Sequence, residues 1–75
     1  MRELEDFHDA YLKYRATHEM RLHIVCCNPT YKIQIKHFKS INDVRIVCNI
    51  TAESKEDMYR RAKRALTDYF KGRRY

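Results

Sequence analysis

The hydrophobic period of this chain changes twice, from 3.6 to 2 and back, and that succession fixes the order of its elements. Leu4, Phe7, Tyr11, Tyr14 and His18 recur at spacings of three and four, one stripe of a helix. Glu3, Glu5 and Asp6 sit in its first turn, where carboxylates suit the positive end of the helix dipole. From Arg21 the period is two. Leu22, Ile24 and Cys26 share one face, while Arg21, His23, Val25 and Cys27 share the other. Asn28-Pro29-Thr30 reads as a tight turn, because proline presets the backbone angle that a turn needs. In the second run Tyr31, Ile33 and Ile35 point inward and Lys32, Gln34 and Lys36 outward. A longer turn over residues 39–43 is expected next. The third run places Val44, Ile46, Cys48 and Ile50 inward and Arg45, Val47 and Asn49 outward. Met58, Ala62, Ala65, Leu66, Tyr69 and Phe70 then restore the helical period. Thr51 or Ser54, the latter with Asp57 three residues on, marks the start of this helix, and Gly72 marks its end.

The pattern predicts an α+β fold of order α-β-β-β-α, a three-stranded antiparallel sheet with two helices packed on one face. One domain spans residues 1–75, with 71–75 expected as a frayed basic tail. Hydrophobic residues make up 44% of the chain, which argues against wholesale disorder. A single Gly and a single Pro exclude a glycine-rich phosphate loop or a flexible linker. No apolar run is long enough to cross a bilayer. The acidic start MRELEDFHDA does not read as a leader peptide. The three cysteines, Cys26, Cys27 and Cys48, cannot all pair within one chain. Without a disulfide framework, free thiols packed as small core residues in a reducing, cytoplasmic compartment are expected. Cys26 and Cys48 would lie two strand spacings apart, ~9.5 Å, beyond bridging reach. Adjacent Cys26 and Cys27 point to opposite faces, so no metal site and no cofactor are expected.

Charge carries the functional signal. Sixteen Lys and Arg against ten Asp and Glu give +6 and a pI near 9.4. Residues 1–19 sum to −2, whereas the last seventeen residues carry seven basic groups and only Asp68. Such a gradient suits a polyanion at the C-terminal end. The candidate phosphate contacts are Lys55, Arg60, Arg61, Lys63, Arg64, Lys71, Arg73 and Arg74. A second set, Arg21, Lys32, Lys36 and Arg45, is expected on the open sheet face, with Phe38 as a stacking surface there or at the turn.

The order α-β-β-β-α resembles that of double-stranded-RNA-binding domains over nearly the whole chain. That family grips phosphate at a lysine-rich start of its last helix, where this chain reads Ser54-Lys55-Glu56-Asp57 before the basic run through Arg64. The layout is also similar to small HicA-like toxin ribonucleases, which use a histidine near the first hairpin. His23 and His37, both expected on the outer sheet face, are the nearest candidates. Neither has a partner arranged for proton transfer, so no catalytic residue is expected.

The favoured function is therefore non-enzymatic binding of RNA, with DNA less favoured. A second reading is an inhibitor or antitoxin-like, phage-type regulator docking on a protein or ribonucleoprotein. A third is DNA binding through the basic sheet face. No membrane partner is expected. A homodimer is expected through the uncovered strand edges at Val25 and Val47.

Overall fold

The computed structural model describes residues 2–27 and 29–72. It has helix α1 (Arg2–Arg15), strands β1 (Met20–Cys27), β2 (Thr30–Ser40) and β3 (Asp43–Ala52), and helix α2 (Lys55–Lys71). The strands form one antiparallel meander in the order β1-β2-β3. This is the α+β architecture that the periodicity predicts. An odd number of strands has a geometric consequence. A three-strand meander returns β3 to the direction of β1. A helix folding back before β1 and another folding back after β3 must then run parallel. The ring contacts agree, since residue numbers rise together on both helices: Phe7 meets Tyr59 at 5.6 Å and Tyr14 stacks on Phe70 at 4.7 Å.

Helix α2 lies over β2 and β3, and α1 packs beside it. The core between these layers is built from Phe7, Ile33, Ile35, Met58, Ala62 and Leu66, all essentially inaccessible to water. Ser54 caps α2: its Oγ accepts a hydrogen bond from the Asp57 backbone N–H at 3.2 Å, satisfying a donor that the helix itself leaves open. Gly72 ends the helix at φ 60°, ψ 46°, the left-handed region that glycine enters without steric cost. Helical order thus extends through Lys71 and the cap at Gly72, past the expected start of the tail. Arg73, Arg74 and Tyr75 lie outside the described residues.

The sheet departs from simple alternation in three places. The second turn is shorter than expected, because Ser40 pairs with Asp43 and only Ile41 and Asn42 lie between the strands. The register between β2 and β3 also slips by one residue: Ile35 pairs with Cys48, but Lys36 pairs with Ile46. Val47 is the extra residue of this bulge, and a bulge reverses which face the following side chains take. Val47 is therefore drawn into the core (8% exposed), while Ile46 (52%) and Val44 (45%) are turned out. Val47 does not sit on an uncovered face, and Arg45 shares a face with its partner His37, not with Lys36. Finally, Cys26 lies opposite Tyr31 on the helix side but is exposed, since neither helix packs closely on β1. Of the three thiols only Cys48 is a core residue.

Candidate nucleic-acid interface

A rotation of 100° per residue places Arg60, Arg64 and Lys71 on the side of α2 opposite Ala62, with Arg61 and Lys63 on the flanks. Lys55, Arg60, Arg61, Lys63, Arg64 and Lys71 are all exposed, as the stripe predicts. Their electrostatic settings differ in a way the sequence did not suggest. Asp57 Oδ1 accepts from Arg60 Nη2 at 2.7 Å, and Asp57 Oδ2 lies 3.5 Å from Arg61 Nη1. Arg61 Nη1 also donates to the Thr51 carbonyl at 3.3 Å. The Arg60 hydrogen bond, with both guanidinium charges behind it, holds the Asp57 carboxyl below its ordinary range. Arg2, Glu3 and Asp6 of α1 line a cleft with Arg60 and Lys63, Asp6 lying 3.9 Å from the Arg2 guanidinium. The N-terminal half of the basic face is thus partly neutralised. Arg64 and Lys71 have no ion pair among the described residues.

Parallel packing sorts the remaining charges. Both helices are acidic in the first turn, with Glu3 and Glu5 in α1 and Glu56 and Asp57 in α2. Both are basic in the last turn, with Lys13 and Arg15 in α1 and Lys71 in α2. The stacking of Tyr14 on Phe70 brings the two basic ends to the same end of the molecule. Lys39 and Arg45 of the β2–β3 hairpin join that end, because they line one open cleft of about 810 Å³ with His18, His37, Tyr69 and Phe70. The result is a basic pole drawn from four elements and invisible to any local count of charge.

The cleft has its own chemistry. His37 is 8% exposed and faces the helices, not the outer sheet surface. The register carries it there, since it stands two residues beyond Ile35. Its Nδ1 lies 3.0 Å from the Tyr69 hydroxyl, and its ring is edge-on to His18 at 5.2 Å. Burial, followed by the nearby charges of His18 and Lys39, pushes the His37 pKa below the ordinary histidine value. His18 Nδ1 lies 3.0 Å from both the Tyr14 carbonyl oxygen and the Thr17 hydroxyl. Arg45 Nε donates to Asp43 Oδ1 at 3.0 Å, which orients its guanidinium and holds the Asp43 carboxyl low. No individual motif in the sequence announces this grouping of His18, His37 and Tyr69.

On the open sheet face, Arg21 and Lys36 are paired across β1 and β2, and Lys32 lies opposite Val25. The Arg21 guanidinium sits 5.5 Å from the centre of the Phe38 ring, which confirms Phe38 on that face. His23, exposed and opposite Gln34, lies there too. Arg45 does not join them. Among the described residues no group of three or more His, Cys, Asp or Glu is arranged to hold a metal ion. No helix is long and apolar enough to cross a membrane. Compared with known proteins, the chain matches no family model, no curated sequence and no solved structure, so its likeness to double-stranded-RNA-binding domains rests on element order alone.

Proposed function

We propose that this protein binds RNA without catalysis, along a surface running from the outer face of α2 to the basic pole. The observation that carries the reading is the convergence of Lys13, Arg15, Lys39 and Lys71 at one end of the molecule, continuous with exposed Arg64 and outweighing Glu19 in the same cleft, where Arg45 is engaged by Asp43. Phosphates need positive donors spread over a surface, and releasing their counterions drives the association. RNA is preferred to DNA on the shared element order. Nothing here reads base edges, so binding is expected to tolerate many sequences.

The test is a titration against RNA, DNA and heparin at two salt concentrations. Tight RNA binding with a steep salt dependence supports the reading. Replacing Arg64 and Lys71 with Gln should weaken binding and flatten the log–log salt slope by roughly one unit per lost phosphate contact. Replacing Arg60 and Arg61 should do less, because Asp57 already engages both. No binding to any of the three polyanions at low salt overturns the proposal.

A further inference from the structure

The free edge of β1 is open in both backbone and side chains. Phe38 N–H donates to the Glu19 carbonyl at 2.8 Å just ahead of the strand. Backbone groups alternate sides along a strand, so the odd-numbered residues of β1 address β2 and the even-numbered ones address the free edge. The N–H and C=O groups of Leu22, Ile24 and Cys26 therefore point away from the sheet. The side chains of these same residues lie on the helix side but are poorly covered: Leu22 is half-buried, Ile24 is 37% exposed and Cys26 is exposed. The other edge is different. The bulge at Val47 interrupts the regular backbone of β3, a recognised defence against strand addition.

We propose that β1 pairs antiparallel with β1 of a second copy about a two-fold axis, joining two sheets into one of six strands. The occupant must be an extended strand, because the open groups are a ladder of backbone donors and acceptors. A second copy has only β1 to offer, since its β3 is bulged. The register that engages the whole open segment sets Ile24 against its own copy and Leu22 against Cys26 of the other chain. Both pairs bring apolar side chains together on the helix side. On the open face it sets His23 against Val25 and Arg21 against Cys27, so no like charges oppose. Shifting by one pair toward the start of β1 would set His23 against itself. Val25 thus belongs to the interface through its open face, and Val47 plays no part in it. Pairing of one edge with the same edge closes on itself, so a dimer forms and not a filament.

Two measurements test this, both without nucleic acid, so that their outcome is independent of RNA binding. Sedimentation of the intact chain at micromolar concentration should give twice the 9.2 kDa chain mass. A single-chain mass at every concentration overturns the proposal and leaves the edge to a strand of some other protein. In a background with Cys26→Ser and Cys27→Ser, Ile24→Cys should form a covalent dimer on mild oxidation. Hydrogen-bonded antiparallel partners stand about 5.5 Å apart at Cα, within disulfide reach. Ile46→Cys in the same background, exposed on the bulged strand, should remain uncrosslinked. Crosslinking through Ile46 and not Ile24, or a dimer that Ile24→Cys fails to crosslink, overturns the proposed interface.

Discussion

His37 shows how one side chain can set a pH limit on a small fold. In the folded chain its pKa lies below the ordinary 6.5, first because it is buried and then because His18 and Lys39 stand close. Well above pH 6.5 both the folded and the unfolded chain hold it neutral, and it contributes no pH dependence. As pH falls through 6.5 the unfolded chain takes up a proton that the folded chain resists, so stability declines until the folded pKa is passed. The melting temperature should therefore fall between pH 7.5 and 5, and His37→Gln should flatten that part of the profile. An equally steep profile in the variant would assign the effect elsewhere. Cysteine reactivity offers a second check at this scale. Burial pushes the Cys48 pKa up to about 11, so at neutral pH it stays a thiol shielded from reagents. Native protein treated with iodoacetamide should be modified at Cys27, which is exposed on the open face, and at Cys48 only when denatured. Mass spectrometry of the alkylated peptides decides.

Caps and helical stripes were the most legible elements, because each is written within a few neighbouring residues. Ser54 and Gly72 occupy the capping positions expected of them. Replacing Ser54 with Ala should cost about 1 kcal/mol, read as a lower denaturant midpoint at unchanged slope. The two hairpins were legible in outline. The bulge was not, because Val44, Ile46, Val47 and Cys48 are all apolar and offer no polar alternation by which to detect a slipped register. That slip misplaced Val47 and Arg45 together. His37 is a different case. Counting by twos through Ile33 and Ile35 already leads to the helix side, and the expectation of an outward imidazole broke that count. The basic run of α2 was readable, but its division into Arg60 and Arg61, engaged by Asp57, and Arg64, with no ion pair among the described residues, depends on which rotamers meet Asp57.

At the scale of the whole molecule the margin is narrow. A domain of this length has a total stability of roughly 4–11 kcal/mol. Phe7 is almost the only large side chain that α1 buries completely, and its ring meets Tyr11 and Tyr59. Phe7→Ala should cost about 3–5 kcal/mol. That is a large share of the total, so thermal unfolding followed by circular dichroism should shift to a much lower temperature. Leu12→Ala on the exposed side of α1 should change little. The parallel arrangement of the helices reaches beyond stability. In an antiparallel pair the helix dipoles would largely cancel. Here they add, but the charged turns, acidic at the positive pole and basic at the negative one, oppose them and, as full charges against half charges, set the direction of the net moment. A molecule with such a moment turns as it drifts toward a polyanion and arrives with the same end leading. Orientation before contact widens the fraction of productive collisions, a gain in association rate that added salt removes.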